Sequence, residues 1–253
     1  MKWTDTHCHI LDDKMTLSAD DSLSAARLAD VNRFIVIGTD AQSSIGAIEL
    51  ASKHPDVWAT VGLHPHDATL GTNTVAHLLP SARVVAVGEC GLDYYYEHSP
   101  RTTQRQVFAE HIALAKQHDL TLVIHTRDAW DDTFDVLDTE GLPQRTVLHC
   151  FTGGPDEARK CLDRGAFLSF SGIVTFKNSA DNQAAARICP PDRLLIETDS
   201  PYLAPAPQRG RPNQPAFVGF VGTAIADLRG QHPSIIAEST SAAAVLAFPG
   251  IGS

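Results

Sequence analysis

Short apolar runs rich in Val, Ile and Leu recur along the chain, and most of them end in a polar or turn-forming residue. Eight such segments read as strands: Trp3–Cys8, Arg33–Gly38, Val57–Leu63, Val84–Cys90, Thr121–Thr126, Thr146–Cys150, Ala166–Gly172 and Leu194–Thr198. They start roughly every 25–30 residues, the length of one strand–helix unit. Between them the period changes. Residues 20–31, "DDSLSAARLADV", open on acidic and serine residues and carry apolar positions at helical spacing. Residues 102–119 place Val107, Ile112, Leu114 and Ala115 on or near one helical face. Residues 155–165 start at Pro155 with acidic neighbours and stop at Gly165, as a capped helix does. Alternating units without an interrupting linker predict an α/β fold, a (β/α)8 TIM barrel over residues 1–253 as a single domain, rather than an open doubly wound sheet. The Pro-rich stretch Ser200–Pro215 follows the eighth strand. It is too apolar at its start for a disordered linker and reads as a loop over the barrel mouth.

Composition narrows the function classes. The 253 residues are 43% hydrophobic and 20% charged, enough apolar mass for one large core. Thirty acidic against twenty basic side chains give a formal charge of −10, which argues against broad wrapping of duplex DNA or an anionic membrane. A nucleic-acid strand gripped at one end through metal ions remains compatible with that charge. No apolar run reaches the ~18–20 residues of a membrane span, and none suits a signal peptide. Five cysteines without a C-x-x-C pair do not make a disulfide framework. The expectation is a soluble, reduced, cytoplasmic protein with no membrane partner and no stable protein partner that can be inferred.

The chemistry gathers at the strand ends. In a β/α barrel the working surface lies at the C-terminal ends of the strands. Here strand one ends "THCH", strand three "GLHPH", strand four "GEC", strand five "IHTR", strand six "LHCF" and strand eight "ETDS". His7 and His9 share a strand face and lie roughly 7 Å apart along the backbone, a spacing at which two imidazoles can pinch one ion. Read alone, the pair supports either a buried strand with polar residues or half of a metal site. His125 and His149, taken singly, read equally well as hydrogen-bonded core histidines. Glu89 and Asp199 are carboxylates beside apolar strands, where an unpaired charge costs several kcal/mol unless a metal or partner takes it up. His7, His9, Glu89, His125, His149 and Asp199 together, at five strand ends, point to a joint metal centre.

Other candidates are weaker. Cys8, Cys90 and Cys150 each follow a proposed ligand, and strand alternation turns them away from it as buried small hydrophobes. His54, His77, His98, His118 and His232 lie in polar surroundings and read as solvated. His111 lies on a helix and packs. His66 could serve the site, with His64 nearer to its strand end and preferred.

The motifs "TDTHCH", "VGLHPH", "VGECGLDYYYE", "VIHTRDA", "LHCFTGG", "SFSGIVTFKN" and "LLIETDSPYLAPAPQRGRPNQP" resemble, in order, those of the TatD-type deoxyribonucleases, within the amidohydrolase-like metal-dependent hydrolases. The resemblance runs from residue 4 to about residue 218, and "GECGLDYY" and "ETDSPYL" are its most specific parts. It implies a barrel with a divalent metal centre that hydrolyses phosphodiester bonds in DNA, commonly as an exonuclease on single-stranded ends. DNA would then be a transient partner. Carried over by position, it implies one metal on His7, His9, Glu89 and Asp199, and a second on Glu89, His125 and His149, with Glu89 bridging. The shell of imidazoles and carboxylates suits Zn²⁺ or Mn²⁺ by ligand type, whereas members of the family are often described as magnesium-dependent. The C-terminal "STSAAAVLAFPGIGS" departs from the family's usual Asn-containing last helix, which leaves the packing of that helix open.

Two divalent cations can activate a water while binding the phosphate. In that scheme Glu89 and Asp199 are the catalytic candidates, Asp199 orienting or deprotonating the water. His64, Lys177 and Arg127 would contact the phosphate, although Lys177 and Arg127 read equally as ordinary rim charges. Ser200–Pro215, with Arg209 and Arg211, would cover the strand or serve as a plain crossover. The same centre could instead hydrolyse an ester, amide or lactone, including a D-aminoacyl-tRNA ester, since fold and metals do not fix the substrate. A catalytically silent barrel would be expected to lack a ligand, and none is missing.

Overall fold

In the computed structural model, which describes residues 1–252, the eight strands form one parallel sheet in sequence order. They are β1 (Trp3–Cys8), β2 (Val31–Val36), β3 (Val57–Val61), β4 (Val84–Asp93), β5 (Thr121–Arg127), β6 (Thr146–Leu148), β7 (Phe167–Phe170) and β8 (Leu194–Ile196). A parallel bridge between Cys8 and Ser200 closes the ring. At that seam the Asp199 N–H donates to His7 O at 2.9 Å and the His9 N–H to Ser200 O at 2.8 Å. The barrel is the one the sequence predicts. The strand ends shift by a few residues, most at β4, which runs on to Asp93.

Eight α-helices surround the strands: α1 (Ala19–Leu28), α2 (Ala41–Lys53), α3 (Arg101–His118), α4 (Trp130–Glu140), α5 (Pro155–Asp163), α6 (Ala180–Ile188), α7 (Val218–Arg229) and α8 (Pro233–Ala247). They are not distributed one per strand. After β3 the chain makes three short 3-10 turns between Pro65 and Leu78 instead of an α-helix, and α7 and α8 both follow β8. Pro65 and Gly71, the latter at φ 75°, punctuate the β3 crossover and deny it helical periodicity. α3 buries Val107, Phe108, Ile112 and Ala115 as its period requires. α5 starts with the Glu157 carboxylate accepting from the Gly154 N–H at 2.9 Å.

The core has two parts. The larger lies between strands and helices and includes Cys8, Phe34, Val87, Cys90 and Leu92 packed with Leu23, Phe108, Ile112 and Ile225. The smaller gathers Ile35, Val85, Val123, Val147, Phe167 and Leu195 against Ala243, Ala244, Ala247, Phe248 and Ile251. The atypical C-terminus therefore plugs the N-terminal end of the barrel. Small alanines let α8 approach, Phe248 is fully buried, and the Thr121 hydroxyl, at the start of β5, donates to Ala247 O at 2.5 Å.

Two register breaks aim side chains at the opposite end. Between Asp5 and Cys8, β1 advances three residues while β2 advances two. Between Val87 and Cys90, β4 does the same against β5. Such bulges turn a side chain out of strict alternation, and they fall at His7 and Glu89. Gly88 and Gly91 flank Glu89 with φ of 137° and 128°. A Cβ at either would sit 2.4 Å from Val123 O or 2.1 Å from His125 O, so only glycine lets β4 lie this close to β5.

Candidate metal centre

Glu89, buried on β4, is the hub of the site. Its Oε2 faces His7 Nε2 at 3.3 Å and His9 Nε2 at 3.5 Å. Its Oε1 faces His149 Nε2 at 2.9 Å, His125 Nδ1 at 3.1 Å and His64 Nε2 at 3.4 Å. Asp199 Oδ1 closes the first side, 3.3 Å from His9 Nε2 and 3.7 Å from His7 Nε2. Donor atoms of His7, His9 and Glu89, of His7, His149 and Asp199, and of His64, Glu89 and His125 each fall within 4.8 Å of one another. The chain thus brings together all six residues expected at the strand ends, and His64 beside them.

The hydrogen bonds behind these donors decide which ring nitrogens face inward with a lone pair. Glu197 Oε1 lies 3.3 Å from His149 Nδ1 and also accepts from the Cys150 N–H at 2.7 Å. In its neutral, metal-binding form His149 therefore keeps its proton on Nδ1 and turns Nε2 toward Glu89. Asp93 Oδ2 lies 3.1 Å from His125 Nε2, so His125 presents Nδ1. Carboxylates in this position fix the tautomer of a metal-ligating histidine. His64 is the opposite case. Its Nδ1 accepts from the His66 N–H at 3.2 Å, which leaves the proton on Nε2. His64 therefore turns an N–H donor inward, not a lone pair.

The electrostatics fit a cation. Burial alone would raise the Glu89 carboxyl, but the imidazoles, His149 and His64 foremost, hold it well below its ordinary range. Burial likewise raises Asp199, and its hydrogen bond with His9 and the nearby imidazoles outweigh that and keep it low. Burial lowers His9, His125 and His149, yet in each the adjacent carboxylates win and the net shift is upward. His7, stacked on His149 at 3.8 Å between ring centres, is lowered by burial and by that neighbour. His149 Nε2 is buried against Glu89 Oε1 at 2.9 Å, outside good hydrogen-bond geometry. Imidazoles that can exchange a proton for a metal, beside two ionised carboxylates in one buried volume, are a donor set that a divalent cation satisfies.

The outer candidates fall elsewhere. Lys177 is exposed beyond β7, and Arg127 is exposed at the end of β5. Neither makes a hydrogen bond or ion pair with the donor set. Arg127 lies instead over the rings of Tyr95 and Tyr96, at 4.1 and 4.9 Å. Cys8 and Cys90 are fully buried and bond to Ile35 O and Val123 O, while Cys150 is half-buried beside Ser171 Oγ. Burial pushes all three thiols well up, so they stay protonated. His111 is a satisfied core histidine, with Nδ1 at 2.7 Å from Val107 O and Nε2 accepting from the Leu63 N–H at 3.1 Å. Of the residues read as solvated, His77, His98 and His232 are exposed, whereas His118 and His54, the latter against Asp20, are half-buried. Ser200–Pro215 folds back on the rim, where Asn213 donates to Thr198 O and Tyr202 O at 2.7 Å each. With Phe176 it borders a depression of about 300 Å³ that includes Arg209 and Arg211.

Sequence reasoning passed over Asp93, Glu197 and Asp5. Each is a buried carboxylate close in sequence to a donor, and that combination was the available signal. Asp5 accepts from the Thr198 N–H at 2.9 Å and the Thr198 hydroxyl at 2.6 Å, tying β1 to the loop that carries Asp199. Burial pushes its carboxyl up to about 8, partly offset by those hydrogen bonds.

A β/α barrel with imidazole and carboxylate donors converging at the C-terminal ends of its strands defines a class, the metal-dependent barrel hydrolases. The TatD-related DNase family model matches residues 4–249, and the chain belongs to that family. YabD of Bacillus subtilis, called an uncharacterized metal-dependent hydrolase, is 38% identical over 230 residues, 89% of this chain and 90% of that protein. YcfH of Escherichia coli K12, described in the same words, is 39% identical over 243 residues, covering 94% and 92%. The crystal structure of YjjV, a TatD homolog from Escherichia coli K12, superposes with a TM-score of 0.90 at 28% identity over 97% of each chain. The chain is a metal-dependent hydrolase of the TatD kind. No helix among the described residues is long and apolar enough to cross a membrane.

Proposed function

We propose that the chain hydrolyses phosphodiester bonds in DNA, as an exonuclease on single-stranded ends. The observation that carries this reading is the two-sided use of Glu89, with Oε2 toward His7 and His9 and Oε1 toward His125 and His149. One carboxylate between two donor sets suits a pair of divalent cations, and such a pair suits displacement at a phosphodiester. His7, His9, Glu89 and Asp199 would hold one ion, and Glu89, His125 and His149 the other. Zn²⁺, Mn²⁺ and Mg²⁺ are the candidates. Bound there, the ions lower the pKa of water and offset charge on the phosphate oxygens.

The chain's own groups do the rest. Asp199, ionised, orients the attacking water and takes its proton at the carboxylate. His64 donates its Nε2–H to a phosphate oxygen. It is neutral at this task, because burial lowers it to about 4 against the pull of Glu89. Lys177 and Arg127 supply positive charge at the rim. The five cysteines are free thiols, which suits a reducing compartment, and we place the enzyme in the cytoplasm.

The test is cleavage of single-stranded DNA by metal-stripped protein, before and after adding back Mg²⁺, Mn²⁺ or Zn²⁺, with Glu89→Ala as control. Cleavage that returns with metal in the wild type alone supports the reading. Metal binding without cleavage moves it to an ester, amide or lactone substrate, D-aminoacyl-tRNA included.

A further inference from the structure

We propose that Tyr95 and Tyr96, with Arg127 laid across them, form a subsite that stacks an unpaired base of the strand whose scissile phosphate lies at Glu89. This rests on the phosphodiester reading above. Tyr94, Tyr95 and Tyr96 follow β4 directly, and among the described residues only the first spends its hydroxyl on the fold. The Tyr94 hydroxyl donates to Asp132 at 2.5 Å. Tyr95 and Tyr96 are 59% and 51% exposed, and neither hydroxyl has a partner among the described residues. Two tyrosine rings held in water at the mouth of a polar site contribute little to folding and offer π-faces to a ligand.

Arg127 is equally unspent. Arg101 and Arg105, on α3, are ion-paired, with Glu97 and with Asp132 and Asp135. Arg127 has no carboxylate partner among the described residues and lies 4.1 and 4.9 Å over the two tyrosine rings. A cation and aromatic faces at one place match a base and its neighbouring phosphate. The −10 chain has no general attraction for a polyanion, so local contacts of this kind add to the grip at the metal centre.

The platform is also fixed to the metal centre. Asp93 Oδ1 accepts from the N–H groups of Tyr95 and Tyr96 at 3.0 and 2.9 Å. Its Oδ2 meets His125 Nε2 and His66 Nε2, each at 3.1 Å. One carboxylate thus positions a metal donor and the tyrosine turn together. A row of rings runs outward from the donors, His64 to His66 at 4.3 Å, His66 to Tyr96 at 5.4 Å, and Tyr96 to His98 at 5.6 Å with planes 5° apart.

The experiment compares wild type, the double variant Tyr95→Ala/Tyr96→Ala and the double variant Tyr95→Phe/Tyr96→Phe. The ligands are an oligothymidylate and an abasic strand of the same length. Equilibrium binding is measured on metal-stripped protein and kcat/KM on metal-loaded protein, with a thermal melt as the folding control. The alanine pair should weaken the preference for the base-bearing strand over the abasic one by about ten- to a hundredfold, the worth of a stacked base. The phenylalanine pair, which keeps the π-faces, should retain that preference within about twofold. Equal losses on both strands, no loss, a phenylalanine pair as impaired as the alanine pair, or a wild type without base preference would each overturn the subsite. Base-dependent binding lost by the alanine pair in a protein that cleaves neither strand would keep the subsite and reject the nuclease reading. Cleavage with unchanged base preference would do the reverse.

Discussion

The two ends of the barrel are built from the same strands and obey opposite rules. At the N-terminal end Val85, Val123, Val147, Phe167 and Leu195 meet Phe248 and Ile251 in an apolar plug. At the C-terminal end His7, Glu89, His149 and Glu197 are almost as deeply buried, yet polar. The plug needs only matching volume, and hydrophobic transfer rewards it wherever the pieces fit. The mouth needs each lone pair and proton assigned, because a buried polar atom without a partner is costly. Stability and chemistry are thereby separated along the barrel axis, and each end can be damaged without the other.

The largest effect is expected at the mouth. Glu89→Ala removes the oxygen atoms facing both donor sets and should lower kcat by about a thousandfold or more, equivalent to several kcal/mol of lost charge stabilisation. Metal content should fall with it, measurable by elemental analysis of the purified protein. A variant that keeps full metal and full turnover would show that Glu89 does not organise the centre. At the opposite end, Phe248→Ala should cost about 3–5 kcal/mol of stability. Turnover per folded molecule should stay the same. A large change in kcat at temperatures well below the melt would break the separation of the two ends.

His111 stands between packing and chemistry. Burial lowers it to about 4, despite its bond to Val107 O, whereas an unfolded histidine titrates near about 6.5. Between those values the unfolded chain binds the extra proton. The stability contributed by His111 is therefore complete above about pH 6.5 and lost as pH falls toward 4, by up to about 3 kcal/mol. In His111→Leu the acid limb of melting temperature against pH should flatten by that amount. At neutral pH the variant should lose about 1–3 kcal/mol, because the Leu63 N–H is left without its acceptor. An unchanged acid limb would assign the pH dependence to other groups.

The smallest expected effect is also the most specific to the mouth. Glu197→Gln and Asp93→Asn keep size but weaken the hold on the His149 and His125 tautomers, and should reduce metal affinity about 10- to 100-fold in a chelator competition. Unaltered affinity in both would mean that these carboxylates serve packing and not the donors.

The barrel was legible in the chain because the strand period recurs eight times with a helical period after most strands, and local sequence carries period directly. The clustering of the six candidate ligands was legible because each stands at a strand end, where an apolar run meets a His, Glu or Asp. The 3-10 crossover after β3 announces itself only through Pro65 and Gly71, and the role of α8 as a plug depends on residues that lie far away in sequence. Asp93 and Glu197 could be seen as carboxylates but not as partners. Their significance is the 3.1 and 3.3 Å separations from His125 and His149, which arise from strands adjacent only in the barrel. The sequence by itself determined which residues could ligate and on which strands they ride. Only the tertiary structure decided which nitrogen each histidine presents, that His64 turns a proton rather than a lone pair inward, and that Arg127 rests on tyrosines. Tautomer and orientation depend on hydrogen-bond partners across strands, and no local pattern encodes those.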